Sequence, residues 1–228
     1  IPGARMRVVP LGVNVDRFTP VPAPESAPFT IGFLGKIIPE KGLHLLCDAY
    51  CNLRERGALE GCRVEVAGYL GPEHAAYWRS IEREVKAWGL ADEIRYRGEL
   101  DLDHKVAFLQ ALVLYVVPAV YDDPKGIALL EAMACGVPVV APRRGTYTEM
   151  LERTGGGVLV EQENLAALEQ TLEQLAGDRA RLAELGRRAA HGVREHYSTG
   201  EMTTRALDVY ERLMQARTGS GRSKAEPR

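Results

Sequence analysis

"VLYVVPAVYDDPKGIALLEAMACGVPVVAP", residues 113–142, decides how the chain folds. An apolar, β-rich run (113–119) opens it and a second (137–142) closes it. Between them "GIALLEAMACG" (126–136) reads as a helix stopped by Gly136. Two short apolar strands joined through one helix pair in parallel by a right-handed crossover. Glu131 sits inside this greasy helix, eight residues after Asp123. An unpaired buried carboxylate is costly. Glu131 therefore either lies on an exposed stripe or faces something that needs it, and Leu129, Leu130, Ala132 and Met133 leave little polar face.

The same alternation extends in both directions. Strands are expected at 29–35, 62–68, 93–98 and 156–160, and helices at 40–56, 72–90, 102–112, 164–176, 178–197 and 199–216. Strands this apolar are covered on both faces. The expected fold class is α/β: a doubly wound, Rossmann-like parallel sheet of about six strands flanked by helices. Residues 1–20 read as an inter-domain linker with a leading strand, 21–217 as the domain, and 218–228 as a small, polar, disordered tail. The chain opens on Ile1, and "IPGARMRVVPLGVNVDRF" implies that sequence precedes it in a parent protein; a processed terminus is the alternative.

The bulk numbers exclude several classes. A net charge of −2 over 228 residues, with no long basic block, argues against nucleic acid as a partner. No apolar run approaches the roughly 20 residues of a membrane helix, and no signal-peptide pattern opens the chain. The four cysteines, Cys47, Cys51, Cys62 and Cys135, lack a disulfide-framework spacing. His44, Cys47 and Cys51 fall on one helix face, but no CxxC pair supports a metal site there. They read as reduced, buried thiols of a cytosolic protein.

Ligands of doubly wound sheets collect at the carboxyl ends of the strands, which ranks the candidates. The first strand exits into "GKIIPEKG" (35–42). Gly35 permits a tight turn beside a ligand. Lys36 and Lys41 flank that turn, so both ammonium groups can converge on one polyphosphate; the alternative is two solvated surface lysines. The stretch is neither a Walker loop nor GxGxxG. In the second stretch, free N–H groups near Gly126, Ile127 and Ala128 form an anion-friendly helix start. Asp123 either caps that helix or serves a ligand. A carboxylate such as Glu131 accepts from two vicinal hydroxyls at once, as a ribose presents them.

"GKIIPEKG" followed by "YDDPKGIALLEAMACGVPVVAP" resembles the donor-binding, C-terminal half of GT-B fold glycosyltransferases. The group is the large retaining class, family four (group 1), with its pattern EGFGLxxLEAMAxGxPVV. The resemblance runs over about residues 7 to 215, and "VVPLGVNVDRFTP" resembles the family's inter-domain linker. It implies that Lys36 and Lys41 hold the donor diphosphate, Asp123 contacts donor-sugar hydroxyls, and Glu131 binds the ribose. Gly35 and the backbone of Gly126, Ile127 and Ala128 complete the donor site. Lys36, Lys41 and Asp123 are thereby assigned to catalysis. Glu149 matches a later acidic position in the family pattern GGxxE.

The sequence departs from the pattern at several positions. Lys36 stands for an arginine, keeping the charge but losing the planar fork. Asp123 stands for a glutamate, one methylene shorter. Pro124 and Lys125 replace Gly–Phe, and Lys125 adds a cation at the lip. Arg143 and Arg144 stand at a strand end where small residues are usual.

The resemblance implies a cytoplasmic hexosyltransferase half that takes a UDP or GDP sugar, with retention and no required metal or other cofactor. Its partners are the nucleotide sugar donor and an N-terminal acceptor domain outside this chain. It leaves room for membrane-surface association of the parent enzyme through that missing half. As an isolated fragment the chain is expected to bind without turnover. A GT-B sugar epimerase and a non-catalytic nucleotide-binding module are the alternatives. The last helix is expected to leave an apolar face uncovered.

Overall fold

A computed structural model describes residues 6–21 and 28–221, with side chains to residue 215. Six strands and eight helices are present among the described residues. In chain order they are β1 (Thr30–Leu34), α1 (Leu43–Glu55), β2 (Arg63–Ala67), α2 (Ala75–Ala87), β3 (Ile94–Tyr96), α3 (Leu102–Gln110) and β4 (Leu114–Val116). There follow α4 (Ile127–Ala134), β5 (Val139–Pro142), α5 (Gly145–Thr154), β6 (Gly157–Val160), α6 (Leu165–Ala176), α7 (Arg179–His196) and α8 (Thr199–Gly221). All strand pairs are parallel, in the order β3-β2-β1-β4-β5-β6. This is the doubly wound sheet expected.

The period-2 alternation of each strand builds two cores. Ile31, Phe33, Val64, Val66, Leu114 and Val116 point to the face covered by α1, α2 and α6. Leu34, Ala67, Tyr115, Val117, Val139 and Ala141 point to the face covered by α3, α4, α5 and α7. The helix after β1 thus packs on one face and the helix after β4 on the other. Their loops diverge, and a crevice opens between them at the topological switch point. α4 is buried along Leu129–Ala134 because it is apolar all round and lies between the sheet, α3 and α7.

Three expectations need correction. The segment over 145–154 forms α5, which no periodicity announced. "GTYTEMLERT" starts on glycine and carries three threonines, weak helix formers, and its helicity comes from burying Tyr147, Met150 and Leu151. The leading strand expected within 1–20 is a single bridge among the described residues. Val13 N donates to Tyr197 O at 2.8 Å and Thr199 N to Val13 O at 3.0 Å, so the segment ties to the α7–α8 junction and not to the sheet. The tail expected from 218 begins inside α8, which runs to Gly221; residues 222–228 lie outside the described residues. The last helix does leave Leu207, Tyr210, Leu213 and Met214 exposed.

The crevice walls are drawn together at Gly42, where a left-handed φ of 73° turns the chain into α1. A Cβ there would overlap the Pro118 carbonyl oxygen in the loop after β4. Gly42→Ala is expected to destabilise the fold by about 3 kcal/mol or more, read as a lower urea midpoint with unchanged slope.

Candidate functional site

The cleft at the β1/β4 switch point encloses about 530 Å³, within the range of small-ligand sites. Gly35, Lys36 and Lys41 line it from the loop after β1. Tyr121, Asp123, Lys125, Gly126, Ile127 and Ala128 line it from the loop after β4 and the start of α4. Tyr115 lies beneath, its hydroxyl donating to Leu34 O at 2.9 Å and tying the two strand ends together. The rims are also joined, Val120 N donating to Glu40 O at 2.9 Å. Both expected stretches therefore meet in one cavity.

Asp123 is the most constrained group in it, 7% exposed. Its Oδ1 accepts the N–H groups of Lys125 (2.9 Å) and Gly126 (3.1 Å). Its Oδ2 accepts from Lys41 Nζ (2.5 Å) and the Tyr147 hydroxyl (2.9 Å). Its carbonyl accepts from Thr146 Oγ1 at 2.9 Å. Asp123 thus realises the capping alternative and pairs with a lysine as well. Burial by itself would raise its pKa. The bond from Lys41, then those from Lys125 and Gly126, outweigh burial and hold the carboxyl well below the usual carboxylate range. Burial would lower the Lys41 pKa, but Asp123 and Tyr121 outweigh it and push it up; Nζ lies 5.0 Å from the Tyr121 ring centroid. Burial, reinforced by neighbouring acidic groups, keeps Tyr147 protonated as a donor.

Gly126 enters α4 with φ 58°, and its own N–H is spent on Asp123. The N–H groups of Ile127, Ala128 and Leu129 take no partner among the described residues. Of the three expected amides, Ile127 and Ala128 remain available, and Leu129 joins them. Glu131 does not line the cleft. It lies one helical turn beneath Ile127 and Ala128, on the same face, buried and paired with Lys105 Nζ at 2.5 Å. Burial pushes its pKa up despite Lys105. The exposed-stripe alternative for Glu131 is thereby excluded.

Lys36 and Lys125 are exposed at the cleft and take no ion-pair partner among the described residues. Three candidates are drawn elsewhere. Arg143 pairs with Glu152 at 2.7 Å. Arg144 is held by Gln162, Glu163 and Asp122. Glu149 faces Arg153 at 3.6 Å, one turn along α5. None of them lines the cleft, because the unexpected helix α5 carries Glu149 outward and the chain after β5 turns both arginines toward acidic surface groups. Tyr147, Tyr121, Tyr115 and Lys105 went unnoticed in the sequence, because each acts through a partner far away in the chain. His44 Nδ1 lies 2.9 Å from the Tyr77 hydroxyl beside buried thiols. Among the described residues no cluster of three His, Cys, Asp or Glu is placed to hold a metal ion, and no helix is long and apolar enough to cross a membrane.

The sequence model of the family described as glycosyl transferases group 1 matches residues 16–192. A D-inositol 3-phosphate glycosyltransferase from Streptomyces bingchenggensis is 28% identical, over 91% of this chain and 48% of its own. Sucrose-phosphate synthase from Thermosynechococcus elongatus superposes with a TM-score of 0.80 at 25% identity, over 92% of this chain and 53% of that one. Anabaena HepE, solved with UDP and glucose, superposes with a TM-score of 0.79 at 18% identity, over 90% of this chain and 56% of that one. The chain spans about half the length of the curated relatives it matches.

The depressed pKa of Asp123 makes a sign-definite prediction. Its stabilisation is complete above about pH 5 and is lost as pH falls through the ordinary carboxylate range near 4 and on toward the folded-state value. Asp123→Asn should cost about 2 kcal/mol at neutral pH, because it leaves a half-buried lysine unpaired and removes the charge that the Lys125 and Gly126 amides bond. The variant should also show a shallower fall of Tm between about pH 5 and 2 than the wild type. Thermal melts across that range check both.

Proposed function

The chain belongs to the glycosyl transferases group 1 family, and we propose that it is the donor-binding half of a GT-B enzyme that moves a sugar, with retention, from a nucleotide diphosphate sugar to an acceptor. The observation that carries this reading is the cleft itself. Lys36 and Lys41 meet the unpartnered amides of Ile127, Ala128 and Leu129 at the switch point. Cations and a helix N-terminus together are a diphosphate site.

In this reading the diphosphate lies against Lys36, Lys41 and the mouth of α4, and Glu131 meets the ribose. Lys105 occupies Glu131 Oε1, and no described residue donates to Oε2, leaving an acceptor for a hydroxyl. When the sugar departs, charge builds on the leaving diphosphate. Lys41 and the amides stabilise it without reorganising, because the Asp123 ion pair, the strand ends and the Gly42 contact already fix their positions, and Lys36 adds its charge from the lip. The nucleotide is UDP or GDP, and the transferred sugar is a hexose. The acceptor belongs to the half of the relatives that this chain does not span, and the exposed face of α8 supports a second body there. The setting proposed for the reaction is the cytoplasm.

Calorimetric titration of the chain with UDP and with GDP tests the reading. Saturable binding of one of them is expected, weakened about ten-fold or more by Lys36→Met and by Lys41→Met. Glu131→Gln should weaken nucleoside diphosphate while leaving inorganic pyrophosphate unaffected. Binding of neither nucleotide by the wild type would overturn the reading.

A further inference from the structure

We propose that Asp123 is an internal counter-anion of the cleft: it holds Lys41 and the mouth of α4 in place, bonds to no hydroxyl of the donor sugar, and moderates the grip on the diphosphate. The inference rests on the donor-site reading above and deepens it.

An ionised carboxylate offers about four acceptor positions, and Asp123 has four donors on them. Lys41 Nζ and the Tyr147 hydroxyl take Oδ2, and the N–H groups of Lys125 and Gly126 take Oδ1. The backbone gives it no freedom to swing outward, since Thr146 bonds the Asp123 carbonyl through both its hydroxyl (2.9 Å) and its N–H (3.3 Å). A sugar hydroxyl could bond this carboxylate only by displacing a donor that is already seated. Tyr147 is fully buried, so a displaced hydroxyl there would be left without water.

The donors that Asp123 consumes are also the donors a diphosphate seeks. Lys41 is already pulled toward Asp123 and Tyr121, and α4 has the amides of Ile127, Ala128 and Leu129 left among the described residues. A diphosphate therefore docks beside a fixed negative charge. With Asp123 nearly excluded from solvent, that repulsion is only weakly screened. Bound nucleoside diphosphate is held less tightly than the cations alone would hold it, which favours its release after transfer. Asp123 is accordingly a positioning residue, in place of the sugar contact its sequence position implied.

The test is calorimetry on the whole chain with UDP, GDP, UDP-glucose and GDP-mannose, using Asp123→Asn and Asp123→Ser. Both variants keep a short acceptor for the Lys125 and Gly126 amides and remove the charge; circular dichroism establishes that each is folded. The expected result is an affinity for the nucleoside diphosphate raised about ten-fold, and raised by the same factor for its sugar conjugate. An unchanged or lowered diphosphate affinity overturns the proposal, as does a loss confined to the sugar conjugate. A wild type that binds none of the four sinks the donor-site reading itself, a pattern no variant effect can mimic. Should neither variant fold, a structure of the wild type with bound donor decides. Asp123 beyond hydrogen-bonding reach of every sugar oxygen is expected, and a bond between them overturns the proposal.

Discussion

The Lys41–Asp123 ion pair joins two loops that leave neighbouring strands for opposite faces of the sheet. Doubly wound topology places no covalent restraint across that divergence. Among the described residues four contacts hold the crevice in shape: the ion pair, the Tyr115 bond to Leu34 O, the Val120 N–H bond to Glu40 O, and the packing of Gly42 on Pro118. Charge-assisted bonds in poorly solvated places contribute roughly 1.5–3 kcal/mol each. That is a large share of the stability of a domain this size. The cavity is therefore preformed, and its energy sits in the same groups that would touch a ligand.

Asp123 and Glu131 show how environment sets the chemistry of similar groups. Both are buried and both have a lysine partner. Asp123 also receives two backbone N–H groups and a phenol, and its pKa falls. Glu131 receives only Lys105, burial prevails, and its pKa rises. By linkage the two have opposite signs: Asp123 loses its stabilising contribution as pH falls, whereas the burial cost of Glu131 is relieved as protons bind. A carboxylate kept in the fold against its own solvation is the natural candidate to receive a ligand's hydroxyls, and the satisfied one is not.

Much of this was legible in the sequence. The strands around α4 read clearly because their apolar runs are short, β-rich and closed by turn residues, and "GKIIPEKG" was placed correctly by the rule that ligands gather at strand carboxyl ends. α5 was invisible because glycine and threonine open it, and burial of Tyr147 overrides local propensity. That omission propagated to the site. Without α5, Glu149 had no face to be assigned to, and Tyr147 had no reason to be drawn toward Asp123. Lys105 was hidden for a different reason. Its partner lies on another helix, and pairing across α3 and α4 leaves no periodic trace in either segment. The pattern located the carboxylates, but the number of donors around each is a property of packing alone.

The two ends of the cleft differ in rigidity, and this bears on where sugar selectivity resides. At the mouth of α4 the groups are fixed by mutual bonds. At the lip, Lys36 and Lys125 are exposed on long stems with no ion-pair partner among the described residues. Such side chains contribute charge but little shape, since ordering each costs up to about 2 kcal/mol of rotamer entropy. On the donor-site reading, this half of the cleft recognises the diphosphate and ribose well and distinguishes one neutral sugar from another poorly. Discrimination among sugars then requires rigid groups closing over the lip from outside. The exposed stripe of Leu207, Tyr210, Leu213 and Met214 on α8 is apolar surface on which a second body can rest while supplying them.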